Sequence, residues 1–320
     1  MQTATMDAQY VALTKGAAFQ LRPTGGVLRM TDADRVDFLQ RMTTNNIVAL
    51  TPGTAALTIL TSPVARSLFA FTVVCELDAL LLLPALGETE ALLKHLRGQI
   101  FFMDKVKIED VSAQYARLRL MGPEARATLM DLGYEASPAD GAVESANGVI
   151  LVHQSEYDLP GYEILVPVEA RAEFLSTLME HGALRLDDLL AYTARRIELG
   201  RPLPAAEIGD EFNPLESGMG WVCADNKGCY TGQEIIARQI TYDKVTKTLV
   251  GLRSAQPLAA DADITVEGRS VGTVTSAAHS PALDAPVALA IIKRPHNEPG
   301  SAVKVGGVKA EVVGLPFVGV

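Results

Sequence analysis

At 320 residues, with 48% hydrophobic and 21% charged residues, the chain is long enough for two or three domains and too apolar to be disordered. Its net charge of −10, with no Lys/Arg-rich run, excludes a phosphate-backbone binder, so no direct nucleic-acid contact is expected. The first sixteen residues lack the apolar core and cleavage site of a secretory signal. The longest apolar run, residues 79–86, is far below membrane-spanning length and contains Pro84. Both features point to a cytoplasmic protein with no membrane partner.

In chain order, residues 31–34 (TDAD) resemble a capping box opening a helix, with Val36, Leu39 and Met42 on one face. Residues 54–60 and 67–77 read as strands joined by a turn at Ser62-Pro63, and 88–98 as an amphipathic helix with Leu92, Leu93 and Leu96 inward. Residues 105–111 and 115–121 read as strands. Gly122-Pro123-Glu124 opens the next helix. Strands at 148–154 and 162–167 precede helices at 169–181 and 186–199, the latter stopped by Gly200 and Pro202. This alternation is α/β or α+β. After residue 245 only short strands remain, spaced by Gly, Pro, Asp and Asn: LVGLRS, ITVEG, SVGTVTSAA, VALAIIK, AVKVGG and KAEVVGL. That is the pattern of a small antiparallel barrel or sandwich, with a boundary near residue 245. The acidic composition without heptads points to a monomer.

The three cysteines, Cys75, Cys223 and Cys229, are too few and too widely spaced for a disulfide framework. Cys75 lies in a strand-like run and reads as a buried small hydrophobe. No histidine falls at metal-ligand spacing from another histidine or a cysteine, so no metal site is expected.

Residues 226–234, NKGCYTGQE, concentrate the chemistry. Thr231 and Glu234 have capping-box spacing ahead of a helical face of Ile235, Ile236 and Ile240. This places Cys229 just outside a helix N-terminus, where unpaired N–H groups favour negative charge, with the Lys227 cation two residues away. Both would lower the thiol pKa. Gly228 and Gly232 allow a sharp turn or close approach to a ligand. The bland alternative is a tight glycine turn with an incidental cysteine. A second stretch, RRIELGRPLP at 195–204, ends a helix with Arg196 and Glu198. It reads either as an ordinary charged helix end or as a rim where a carboxylate grips paired N–H donors of a ligand ring.

Together these stretches resemble one family. KGCYTGQE matches the signature of the YgfZ-type folate-binding proteins, whose wider superfamily includes the aminomethyltransferase T-protein of the glycine cleavage system. FLQRMTTNNIVALTPG, RIELGRP followed by NPLESGMG, GRSVGTVTSA and the closing LPF resemble segments shared across the superfamily. The resemblance implies an α+β fold with ferredoxin-like α/β subdomains and a C-terminal antiparallel β-barrel. Residues 1–245 would form the folate-binding region, as interleaved subdomains of roughly 25–112 and of 1–24 plus 113–245; residues 246–320 would form the barrel. It implies tetrahydrofolate as cofactor, with Glu198 on the pterin ring and Arg196 beside it. Arg238 is expected to face the same channel. Lys227 and Cys229 would be the catalytic pair, with Gly228, Gly232, Gln233 and Glu234 completing the loop. The implied role is support of iron–sulfur cluster assembly or repair, and indirectly of tRNA modification, with cluster client or assembly proteins as partners.

One departure bears on activity. The T-protein has an essential aspartate in the strand after its glycine turn, yet residues 51–75 here contain no Asp or Glu, and Ala65 stands where relatives carry glycine before the basic residue, here Arg66. Aminomethyl transfer would lack its acid–base partner. The alternatives are a tetrahydrofolate-dependent one-carbon transferase using Asp104, Glu109 or Asp110, and a non-enzymatic folate-binding module in which Cys229 is dispensable. The residues leave open whether anything is chemically converted.

Overall fold

The computed structural model describes residues 5–319. They form two compact units. The first comprises the segment up to Pro63, Leu68–Asp187 and Val222–Thr231; the second comprises Val64–Ser67, Asp188–Trp221 and the chain from Gly232 onward.

In the first unit α1 (Met6–Lys15) leads to β1 (Ala18–Leu21), β2 (Leu28–Thr31) and α2 (Arg35–Met42). β3 (Thr54–Thr61), β4 (Ser67–Cys75), β5 (Leu80–Pro84), α3 (Thr89–Gly98) and β6 (Lys107–Asp110) follow. Then come β7 (Tyr115–Met121), α4 (Ala125–Asp131), β8 (Val143–Ala146), β9 (Val149–Gln154), β10 (Gly161–Pro167), α5 (Arg171–Glu180) and β11 (Leu184–Arg185). The strands make two sheets, one ordered β11-β1-β7-β10-β9-β8 and the other β3-β4-β5-β2-β6. The run at 79–86, too short for a membrane, becomes β5. Its side chains alternate: Leu80 and Leu82 join the core beneath α2 and α3, whereas Leu81 and Leu83 join a core shared with Ile150, Val152 and Leu165 of the other sheet. A strand covered on both faces reads as a continuous apolar run, which is why it carries no polar alternation.

In the second unit α6 (Leu190–Glu198) and α7 (Gln233–Thr241) accompany six strands: β12 (Lys247–Ser254), β13 (Asp263–Val266), β14 (Arg269–Ser280), β15 (Ala285–Lys293), β16 (Ala302–Val305) and β17 (Val308–Val313). They close into an antiparallel barrel, β12-β15-β14-β13-β16-β17. Its interior is built from small and branched side chains such as Val274, Ala288, Ala290 and Val312. Ile197 of α6 packs outside it with Val287 and Leu289. The fold is therefore α+β with a closed barrel, as expected.

Several local expectations are corrected. Asp34 is the N-cap of α2 but makes no capping bond; its carboxylate instead accepts the Lys105 N–H (2.8 Å). The helix expected from residue 186 begins at 190, because the Leu186 N–H pairs with the Phe19 carbonyl (2.9 Å) and continues the edge strand. Pro123 precedes α4 rather than sitting inside it. Among the described residues no helix is long and apolar enough to cross a membrane.

Glu88, at the N-cap of α3, has a buried Oε2 with no hydrogen-bond partner, and burial raises its carboxyl to about 7. The folded chain therefore holds a proton that the unfolded chain, with a pKa near 4.3, releases earlier. Stability falls as pH rises between about 4.5 and about 7. Glu88→Gln should match wild type in urea melts at pH 4 and exceed it at pH 8, by about 1–2 kcal/mol after allowance for partial exposure. An equal difference at both pH values would show that burial of the charge is not the cause.

Candidate functional site

The cysteine loop belongs to the first unit, and its anchorage is specific. The Lys227 ammonium donates to the backbone carbonyls of Thr43 and Asn45, the latter at 2.6 Å, and stands 5.0 Å over the Tyr230 ring. The Ala224 N–H donates to the Thr44 carbonyl (3.1 Å) and the Thr231 N–H to that of Arg41 (3.4 Å). The Thr61 hydroxyl donates to the Thr231 carbonyl (2.6 Å). The receiving segment is itself rigid: the Thr44 hydroxyl accepts the Ile59 N–H (3.1 Å), and the Asn45 amide donates to the Leu57 carbonyl (2.8 Å) of β3. The MTTNN and KGCYTGQE stretches thus form one constellation.

Within it the two thiols differ. Cys229 is exposed and Cys223 half-buried. Burial pushes the Cys223 thiol up to about 12, against the opposing hydrogen bond from Thr44 and the Lys227 charge. Burial also pulls Lys227 down to about 8, opposed by Cys223. Lys227 was expected as a cation acting on Cys229. Instead it is bonded to two backbone carbonyls. The helix expectation is corrected as well. α7 starts at Gln233 with Gly232 as N-cap at φ +84°, a conformation that favours glycine, and the Thr231–Glu234 capping box is not made. Gly228 has open space where a Cβ would stand. Ile240 is exposed rather than on the buried face of Ile236.

In the second unit, the expected folate residues are otherwise engaged. Glu198 has no exposed surface; its Oε1 accepts the Ser280 hydroxyl (2.6 Å) and the Ala282 N–H (3.3 Å), and its Oε2 faces Arg195 (3.4 Å). It ties α6 to the barrel and is not a rim carboxylate with free oxygens. Arg196 is buried and donates to Glu207 Oε2 (3.2 Å), to the Arg201 carbonyl (3.2 Å) and to the Ser276 hydroxyl, which itself donates to Glu207 Oε1 (2.6 Å). Glu207 and Ser276, missed in the sequence, make Arg196 the core of an ion-pair network. Arg238 and Glu234 face each other on the exposed side of α7 (3.4 Å), and Gln233 opens that helix.

A second feature the sequence did not reveal is a buried charge cluster in the first unit. Glu163 of β10 is ion-paired with Arg117, with Arg22 (3.3 Å) and with Arg119 (3.7 Å), and Arg22 also pairs with Asp158. Burial pushes the Glu163 carboxyl up, but the guanidiniums of Arg117, Arg22 and Arg119 outweigh it and hold it below the usual range. The acids weighed for one-carbon chemistry are also engaged. Asp104 accepts the Phe101 N–H (2.9 Å) and the Arg41 guanidinium (2.6 Å), which keep it ionised; Glu109 pairs with Lys107 (2.9 Å); Asp110 accepts the Ser112 N–H (2.9 Å). Ala65, buried at φ +61°, occupies the left-handed region that glycine favours.

The GCVT N-terminal domain family matches residues 24–227, and the glycine cleavage T-protein C-terminal barrel domain matches residues 247–318. A chloroplastic protein of Arabidopsis thaliana, named as a transferase, is 30% identical over 302 residues, covering 90% of this chain and 68% of the relative. The mitochondrial aminomethyltransferase of Flaveria anomala is 27% identical, covering 98% of this chain and 82% of its own length. The crystal structure of glycine cleavage system aminomethyltransferase T from Bartonella henselae superposes with a TM-score of 0.88 at 20% identity, covering 97% of this chain and 88% of that one, a likeness of fold. The chain therefore belongs to the glycine cleavage T-protein family.

Proposed function

We propose that the protein is a tetrahydrofolate-binding member of this family that supports assembly or repair of iron–sulfur clusters, and through cluster enzymes tRNA modification, with the Cys229 thiol as its reactive group. The supporting observation is the exposure of Cys229 on a tethered loop while Cys75 is buried and Cys223 half-buried with its thiol pushed up to about 12. Glycine cleavage is disfavoured: residues 51–75 carry no carboxylate, and Asp104, Glu109 and Asp110 already have partners. Tetrahydrofolate is proposed from family membership alone. Glu198 and Arg196, as placed, do not fit the duty of holding it, because both are buried and the Glu198 oxygens and the terminal nitrogens of Arg196 are engaged inside the second unit.

Two measurements test the reading. Iodoacetamide at pH 7.5 followed by mass spectrometry should label Cys229 well before Cys75 or Cys223, since it is exposed while burial raises the other two thiols. In a strain lacking the protein, wild type should restore cluster-enzyme activity and Cys229→Ser should not; full rescue by the serine variant would favour a plain binding module. A second reading, a tetrahydrofolate-dependent one-carbon transferase, draws support from the names of the relatives. It requires turnover of tetrahydrofolate with an amine or sulfonium substrate, and failure across such candidates would remove it.

A further inference from the structure

We propose that Lys227 is a positioning residue, a latch whose ammonium binds the Cys229 loop to the carbonyls of Thr43 and Asn45 and so holds the thiol in place for its reaction partner. The inference rests on the reading of Cys229 as the reactive group and adds how that group is kept ready. Its ground is geometric. The half-buried ammonium donates to two backbone carbonyls of the segment that receives the loop and stands over the Tyr230 ring. The other ties of the loop, Ala224 to Thr44, Thr231 to Arg41 and Thr61 to Thr231, are neutral. The latch is thus the loop's one charge-assisted tie among these, and such bonds are the stronger kind.

Amide hydrogen exchange across residues 224–231 of the full chain reads the latch directly, after correction for intrinsic rates. Lys227→Met, which keeps the stem and removes the donors, should speed exchange at these amides about tenfold or more, the equivalent of one lost charge-assisted hydrogen bond. Cys229 alkylation at pH 7.5 should change less than about threefold. Lys227→Arg, which can still reach two carbonyls, should restore much of the protection. If Lys227 instead acts on the Cys229 thiolate by charge, Lys227→Met would slow alkylation and leave exchange unchanged, and that result overturns the proposal. So does unchanged exchange with unchanged alkylation. Failure of Cys229→Ser to abolish rescue would strike the functional reading, yet leave these exchange results untouched.

Discussion

Glu163→Ala is expected to cost the first unit about 3–5 kcal/mol, the range for removing one partner of a buried ion pair. The reason is the imbalance left behind. Arg22, Arg117 and Arg119 converge on this carboxylate, and without it Asp158 is the one carboxylate left among these described ion pairs to offset three buried guanidiniums. Carbonyls cannot replace it. Arg117 already donates to the Pro84 oxygen (2.6 Å) and Arg119 to that of Gln154 (3.1 Å), so those hydrogen bonds survive while the buried charges lose their counter-ion. Glu163→Gln, which keeps an acceptor but no charge, should cost less. The sign with pH follows from the direction of the shift. A carboxyl held below its unfolded value contributes stability that is complete above about pH 4.5 and lost as pH falls through the folded pKa. The gap between wild type and Glu163→Gln in urea melts should therefore close on acidification. A loss under about 1 kcal/mol for Glu163→Ala at pH 7 would mean the cluster is hydrated rather than buried.

That cluster also marks where the sequence stops being readable. Residues 115–121, YARLRLM, alternate correctly, and Leu118 and Leu120 do lie in a core. Alternation alone assigns Arg117 and Arg119 to solvent. They are buried because the second sheet covers that face, where Tyr115 and Leu165 share a core with Val74 and Leu81. Burial on both faces is a tertiary fact with no local signal. The six barrel strands, by contrast, were legible because glycines and turn residues punctuate them at short intervals. α1 was missed because its apolar residues form no clear stripe; only Gln9 and Leu13 of it are buried. At the candidate site, KGCYTGQE stands out, whereas TTNN lies within the longer segment FLQRMTTNNIVALTPG. What joins them is a lysine crossing from residue 227 to the carbonyls of residues 43 and 45, and backbone acceptors leave no trace in side-chain patterns.

Glu198 supplies the other large effect, and it bears on the ligand. Glu198→Ala should destabilise the second unit by about 3 kcal/mol or more, because the Ser280 hydroxyl and the Ala282 N–H lose their acceptor and Arg195 its counter-charge. Loss of tetrahydrofolate binding in that variant would say nothing about a pocket, since unfolding produces the same result. Glu198→Gln separates the two roles. Its amide oxygen can still accept from Ser280 and Ala282, at roughly half the cost in stability. Toward a pterin, however, glutamine presents an NH2 to paired N–H donors, and a donor facing a donor should weaken binding by tenfold or more. Because Glu198 is fully buried with both oxygens engaged, calorimetric titration of Glu198→Gln with tetrahydrofolate should give an affinity within about threefold of wild type. A tenfold loss in a variant that melts cooperatively would return Glu198 to the ligand, and would require Ser280 and Arg195 to release it when the ligand arrives.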